Sequence, residues 1–543
     1  MNDVYADDMP VSAATMPALL AHHVHTHGDA IAFIEGERAI SYREFDRQVT
    51  STAAWLVQHG VQPGDRVAVW LVNRMEWLAM YFGLARIGAA MMTLNTRYRS
   101  HELADILDRS QASMLVLQLG FRKIDFPAVL RDVPPHAARA LRSVAVVDAN
   151  EHHMPPHVLG RPTVAFTLAD LPDADTPDVS RPDATSILFT TSGTTSAPKL
   201  VMHPQRTVTL HALRTARAYG VLADDARLLA ALPFSGVFGF NSLMCAFAAG
   251  RPVIVMDTFD GAEAAALIQR HRITHVFGSD EMFQRVIEHA TSPDVLASAR
   301  MLGFGNFQSH GMDDAQAAWQ RGIPMFGLYG SSEVQALFSV QRMEEPVPER
   351  VKGGGMPASR DHGAHIRIRD LDSGALLGPG ASGALEIRAD TNFIGYLNDP
   401  EATAKAIDAD GYFRTGDIAY LRDDGSFVYV ARQGDAMRLS GYLVSPAEIE
   451  NVIRQTPGVQ EVQVVAVEIG KQLRPVAFVI AATGSTLSET ELKAAAQTVL
   501  AAFKVPAHFW IEDAFPTTQS ANGNKIQRAK LRALAQQRVA AGG

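Results

Sequence analysis

Segments with helical periodicity, Tyr42 to Gln58 and Met75 to Ile87, alternate along this chain with short apolar runs such as Val67–Leu71 and Met114–Leu117. That alternation restricts the fold more than any other feature. A short apolar run is a strand that needs cover, and the amphipathic segments between the runs are the helices that provide it. The pattern predicts α/β layers with largely parallel strands. Val253–Met256 and Thr274–Phe277 read as further core strands, with a helix over Ala262–His271 between them. At 543 residues the chain is too long for one core, so two or more domains are expected. Asp170 to Ala184, rich in Asp and Pro, reads as a linker. From Gly383 the pattern turns to short alternating strands with turn signals such as Asp424-Gly425, which predicts a small β-rich subdomain. The chain then divides into a large N-terminal domain, 1–434, and a small α+β domain, 435–543. The second is expected to hold helices over Pro446–Thr456 and Glu489–Phe503, strands Val462–Val467 and Val476–Ile480, and a closing basic helix from Ile526 to Ala540.

One loop carries chemistry. After the apolar run Ile187-Leu188-Phe189 comes Thr190-Thr191-Ser192-Gly193-Thr194-Thr195-Ser196-Ala197-Pro198-Lys199. Hydroxyls and backbone N–H groups there can donate to phosphate oxygens, Gly193 lets the main chain approach closely, and Lys199 adds a point charge. The plain alternative is a Thr/Ser-rich surface turn. Gly193 to Leu200 has the outline of a P-loop, but Pro198 takes the place of the second glycine and Leu200 that of the Mg²⁺-binding hydroxyl. This argues against an ordinary P-loop NTPase, and any metal must be held from elsewhere.

Composition narrows the class. Hydrophobic residues make up 47% and charged residues 20%, which is globular, and a net charge of −9 without a basic block disfavours nucleic acid as a partner. Cys245 is the one cysteine, so no intrachain disulfide forms; it lies in an apolar run and reads as a small buried hydrophobe. The acidic N-terminus lacks the features of a secretory signal, and a cytoplasmic location is expected. Leu228 to Gly250 is uncharged and long enough to span a bilayer, but Pro233, Gly236, Gly239 and Asn241 interrupt it; a buried strand–loop–helix is expected, with no transmembrane segment. His22, His23, His25 and His27 lack the spacing of a closed zinc site and read as a solvated helix end.

Four later segments accompany the hydroxyl-rich loop: Leu328-Tyr329-Gly330-Ser331-Ser332-Glu333; Tyr412-Phe413-Arg414-Thr415-Gly416-Asp417; Ala431-Arg432-Gln433-Gly434-Asp435 running into Ser440-Gly441-Tyr442; and Asn522-Gly523-Asn524-Lys525-Ile526-Gln527-Arg528. Upstream stand Ile40-Ser41-Tyr42-Arg43-Glu44-Phe45, Gly64-Asp65-Arg66-Val67 and Asn95-Thr96-Arg97-Tyr98. In this order and at these distances they resemble the adenylate-forming superfamily, the acyl-CoA synthetases and their relatives, over about Ile40 to Arg532.

The resemblance implies a reaction in two halves. A carboxylate attacks the α-phosphate of ATP, giving an acyl-adenylate and pyrophosphate; the thiol of coenzyme A then displaces AMP. It implies ATP, Mg²⁺ and CoA as cofactors. Thr191, Ser192, Gly193, Thr194, Thr195 and Lys199 would hold the outer phosphates, and Glu333 would be the Mg²⁺ ligand. Gly305 and Asn306 fall in the adenine loop, Tyr329 offers an aromatic face to adenine, and Gly330 and Ser331 belong to the same nucleotide turn. Ser332 would donate to the α-phosphate, Asp417 would accept the ribose hydroxyls, and Arg432 would add a ribose or phosphate contact. Asp435 falls at the domain hinge. Lys525 would bridge the attacking carboxylate and the α-phosphate, while Arg438, Ser440 and Gly441 would line the CoA channel after the small domain swings.

Several positions depart from the family pattern. Ser196 and Leu200 replace glycines of the phosphate loop, with Leu200 expected to pack inward, and Gln205 stands where a histidine is common. Gly236 replaces bulk at the mouth of the acyl site. Ser279-Asp280-Glu281 reads as an N-cap with acids in the first turn. Acyl-pocket walls are expected from Phe234, Gly236, Val237, Phe304 and Gln335, mostly apolar, which favours a fatty or aryl acid over a dicarboxylate or amino acid. Two other readings stand beside a free-standing acyl-CoA synthetase: an enzyme loading a separate carrier protein, and a nucleotide-binding regulator without ligase activity. Assembly as a homodimer is compatible with the sequence.

Overall fold

The computed structural model describes residues 9–122, 124–147, 154–191, 198–306, 311–439, 442–470, 472–520 and 523–541. The expected helices form with local reasons for their limits. Tyr42–Gln58 starts where the Ser41 hydroxyl accepts from Glu44 N at 3.1 Å, and it buries Phe45, Val49 and Leu56. Ser279 caps the helix Asp280–His289 in the same way, through Met282 N, with both acids in the first turn as expected.

Among the described residues nine strands form one sheet, whose centre (Ala90–Thr93, Arg66–Trp70, Met114–Gln118 and Ser143–Val147) is parallel. A second sheet has fourteen strands. One half is parallel and includes Leu228–Ala230, His275–Ser279, Met301–Gly305 and Met325–Ser331. Its other half is antiparallel, from Gln335–Val340 through Gly354–Pro357, Phe427–Arg432, Phe413–Leu421 and Gly383–Arg388. The β-rich region therefore starts earlier than Gly383 and continues the parallel sheet. Gln335–Val340 gave no alternating signal because every residue in it is buried. The stretch 170–184 is coil, but it is strapped down: Thr176 donates to Thr50 O at 3.1 Å and Arg86 to Thr176 O at 2.7 Å.

Beyond Arg432 the chain builds a core of its own. A hairpin, Val459–Ile469 with Gln472–Ala481, is extended in parallel by Phe509–Ile511 across the helix Glu489–Val499. Its period-two pattern splits two apolar clusters. Val462 and Val464 face Ile449, Ile453 and Leu492, whereas Val465 and Val467 face Leu531 and Ala535 of the closing helix. That helix starts at Arg528 rather than Ile526, because Gly523–Ile526 pairs with Thr517–Ser520.

Leu228 to Gly250 forms the strand Leu228–Ala230 and the helix Val237–Ala248, and among the described residues no helix is long and apolar enough to cross a membrane. Cys245 is buried, and burial pushes its thiol up to about 12. The histidine cluster needs correction. His25 is exposed on the helix Met16–His27, but His23 is 2% exposed and packs against Tyr42 and Phe247.

Candidate active site

The strand Thr185–Thr190 delivers the hydroxyl-rich loop, and its antiparallel neighbour Leu200–Pro204 takes the chain back. Past the last pair, Thr191 N donates to Lys199 O and Lys199 N to Thr191 Oγ1, each at 3.0 Å. Ser192, Gly193, Thr194 and Thr195 lie outside the described residues. The loop base is held from outside as well: Tyr98 Oη lies 2.5 Å from Thr190 Oγ1, and Arg109, paired with Asp105, donates to Pro198 O at 2.5 Å. Leu200 is 1% exposed, packed inward as expected. Gln205 bonds Met16 N and Ala85 O, so the departure at that position ties the first helix to the core.

Lys199 does not point into open solvent. Its ammonium sits 4.5 Å from the centroid of the Tyr396 ring, and the Tyr396 hydroxyl donates to Glu333 Oε1 at 3.0 Å. Tyr396 arrives there because Gly395–Tyr396 pairs with Leu200–Pro204 as an edge strand. One ring thus joins the loop's lysine to the carboxylate expected to hold the cation.

Glu333 lies on a turn after Met325–Ser331, where Ser331 Oγ accepts from Glu333 N at 3.2 Å. Gln335 and Leu337 just beyond have φ of 66° and 62°, a left-handed conformation costing non-glycine residues about 1 kcal/mol or more. Three buried side chains hold the strained segment. His203 Nε2 donates to Ser332 O at 2.7 Å, His211 Nε2 donates to Ala336 O at 2.6 Å, and Asn241 Oδ1 accepts from Ala336 N at 3.0 Å. Both histidines are buried, and burial lowers each from the ordinary 6.5 to about 4, so the fold holds them neutral. The folded values lie below the unfolded one. The stability they provide is therefore complete above pH 6.5 and declines as pH falls toward about 4, by about 1.4 kcal/mol per pH unit for each. The thermal midpoint should be level from pH 8 to 7 and fall steeply between pH 6.5 and 5. A midpoint unchanged down to pH 5 would contradict this account.

The second carboxylate is differently built. Gly416 has φ of 73° and turns the chain so that Asp417 points inward. Asp417 is 5% exposed; Tyr329 Oη donates to Oδ2 at 2.6 Å and Arg432 Nη1 to Oδ1 at 2.7 Å. Although its neighbours Thr415 and Gly416 are short, the carboxylate is buried and already holds one donor on each oxygen. Each oxygen keeps a second lone pair, and the exposed Arg432 marks the open side. Tyr329 is 8% exposed, with its ring edge-on to Phe427 and tilted against Tyr429. Burial and the Asp417 charge raise its pKa, keeping the phenol protonated as a donor. The Arg432 charge also reaches the Tyr396 hydroxyl, which links the Asp417 group to the Lys199–Tyr396–Glu333 group.

Of the remaining candidates, Gly305 ends the strand Met301–Gly305 and Asn306 is exposed just beyond it. Ser331 and Ser332 are half-buried, and Gly330 is exposed with Ala336 Cα only 2.6 Å from where a Cβ would stand. Three of the residues expected to wall the acyl pocket are closely packed. Phe234, Phe304 and Gln335 are at most 1% exposed. Gln335 is fully bonded, accepting from Asn241 and donating to Thr207 O and Thr391 O, while Phe234 packs on Trp77. Gly236 and Val237, at the start of the helix Val237–Ala248, keep partial exposure. Asp435 lies beside the closing helix, 3.6 Å from Arg532. Ser440 and Gly441, and the side chains of Arg438 and Lys525, lie outside the described residues; the Lys525 backbone is in the strand Gly523–Ile526.

Residues that sequence reasoning missed are Tyr396, Arg109, His203 and His211. His203 carried a usable signal, a polar residue closing the apolar strand Leu200–Pro204; Tyr396 sits on a two-residue strand with no periodicity to read. The group gathers at the carboxyl ends of Thr185–Thr190, Met301–Gly305 and Met325–Ser331, where open α/β sheets bind ligands. A separate cleft of about 630 Å³, lined by Tyr219, His275, Met301 and Phe326, opens at the amino ends of the parallel strands, away from this chemistry.

Comparison with known proteins places the chain in a family. The pattern of the AMP-binding enzymes matches residues 20–397, and that of the AMP-binding enzyme C-terminal domain matches residues 448–522. The 3-[(3aS,4S,7aS)-7a-methyl-1,5-dioxo-octahydro-1H-inden-4-yl]propanoyl:CoA ligase of Mycobacterium tuberculosis is 32% identical, over 96% of this chain and 99% of its own. The 4-coumarate–CoA ligase 3 of Oryza sativa subsp. japonica is 31% identical, over 94% and 89%. The crystal structure of the anthranilate CoA ligase AuaEII in complex with anthranoyl-AMP superposes with a TM-score of 0.81 at 21% identity, over 99% of this chain and 100% of the other.

Proposed function

Because the chain belongs to the AMP-binding enzyme family, we propose that it is an ATP-dependent, AMP-forming acid–CoA ligase acting on a hydrophobic acid, aryl or fused-ring in kind. The observation that carries this reading is the convergence of the loop base at Thr191 and Lys199, Glu333 and Asp417 through Tyr396, Tyr329 and Arg432. Joining a carboxylate to a polyphosphate brings two anions together, so the chemistry rests on charge neutralisation and positioning. Lys199 and the loop donors bind the outer phosphates. Asp417, fixed by Tyr329 and Arg432, accepts the ribose hydroxyls. The bond from His203 to the Ser332 carbonyl fixes the turn from which Ser332 would donate to the α-phosphate. The residues present suit Mg²⁺: Glu333 offers one carboxylate on a half-exposed turn, and Mg²⁺ is ordinarily held by one or two carboxylates plus substrate phosphates. When bound, the ion supplies neutralisation of the phosphate charge.

The large domain, 1–434, would then hold the acid and ATP, and the small domain, 435–543, would bring Lys525 for adenylation and Arg438, Ser440 and Gly441 for CoA. The acid would enter past Gly236 and Val237, in the uncharged segment 234–241, which together with the acids named for the two relatives favours an apolar substrate. AMP and thioester release across a panel of aryl, bicyclic and straight-chain acids, with and without CoA, tests this. The expected result is CoA-dependent thioester from the ring-bearing acids. Pyrophosphate release that yields no thioester with CoA would point to a carrier protein as thiol donor.

A further inference from the structure

We propose that Tyr396 is a positioning residue that fixes the Glu333 carboxylate for the metal–nucleotide and seats Lys199 on the same ring, an inference that rests on the function proposed above. Glu333 stands on a turn and is half exposed, so its side chain has rotamers to choose from. One hydrogen bond, Tyr396 Oη to Oε1 at 3.0 Å, selects among them; among the described residues no donor reaches Oε2, which is left for a cation or its water. A carboxylate oxygen accepts, so the phenol is the donor in this bond.

Tyr396 is itself held tightly. It is 5% exposed, its N–H donates to Thr403 Oγ1 at 2.9 Å, and its ring meets Phe393 at 5.0 Å. The surrounding backbone is bonded to both sides of the site: Phe393 N donates to Glu333 O, Ile394 N to Met202 O and Leu397 N to Leu200 O. The segment 393–397 is thus a clamp between the glutamate turn and the return strand of the phosphate loop. Tyr396 is the residue of that clamp whose side chain touches both functional groups.

Binding of preformed Mn²⁺–ATP, followed by the enhancement of water-proton relaxation over the protein-free complex, separates this role from general packing. Tyr396→Phe keeps the ring under Lys199 and removes the hydroxyl. It should weaken Mn²⁺–ATP binding roughly tenfold and leave metal-free AMP binding unchanged. In a Glu333→Gln background the same change should have no further effect. Mn²⁺–ATP binding by Tyr396→Phe equal to wild type would overturn the inference, and so would equal weakening of metal-free AMP. Wild-type protein that binds Mn²⁺–ATP but forms no adenylate with any acid would refute the proposed function while leaving the Tyr396 assignment to its own test. Wild type that binds no nucleotide would refute both.

Discussion

Replacing Lys525 by Ala should slow adenylate formation by about 10²–10³-fold while thioester formation from supplied acyl-adenylate and CoA continues near the wild-type rate. The split follows from charge. Adenylation presses a carboxylate against the α-phosphate, and a cation between them acts where the repulsion is largest; thiol attack on a finished adenylate has no such need. The backbone at Lys525 lies in register with Thr518 on a two-stranded hairpin that leads into the closing helix. Pyrophosphate release and thioester yield, measured separately, check the prediction. Equal loss in both half-reactions would remove the bridging role from Lys525.

Arg528→Met should destabilise the C-terminal unit by about 3–5 kcal/mol, a large part of the ~5–15 kcal/mol typical of a whole domain. Glu450 is fully buried, and both its oxygens are engaged: Oε1 lies 2.8 Å from Arg528 and accepts from Val464 N at 2.8 Å, and Oε2 accepts from Arg528 at 3.0 Å. Burial opposes the charge on Arg528, but Glu450 more than offsets it and raises the guanidinium pKa. Removing the arginine leaves a carboxylate buried with one remaining donor. The pair also joins the helix Pro446–Arg454, the strand Val459–Ile469 and the start of the closing helix, next to the hairpin that carries Lys525. Trp510 reports on this unit; its fluorescence in urea should show an early transition in the variant, and Glu450→Gln added to Arg528→Met should recover part of the loss. Coincident transitions in variant and wild type would contradict the prediction.

Much of this was legible in the sequence, for identifiable reasons. Tyr42–Gln58 could be read because one apolar face repeats every turn, and the hairpin Val459–Ile469/Gln472–Ala481 because apolar residues face both sides of it. The fused antiparallel half of the large sheet could not, since Gln335–Val340 is buried on both faces and hides its period. At the site, residue types were readable and their surroundings were not. Nothing beside Asp417 in the sequence shows that a tyrosine 88 positions away covers it. Nothing local to Gln335 or Phe304 reveals that long-range partners from Asn241, Thr207 and Thr391 close around the first, and the core around the second. Tyr396 shows the same limit: its role comes from pairing with a strand almost two hundred residues earlier.

The central claim is that these segments meet around one nucleotide and join a carboxyl oxygen to its inner phosphorus. Exchange of labelled pyrophosphate into ATP, run without CoA, reads that step alone. Exchange that depends on an added hydrophobic acid and is abolished by Asp417→Ala is the predicted result; exchange absent with every acid, in protein that still binds ATP, would contradict it.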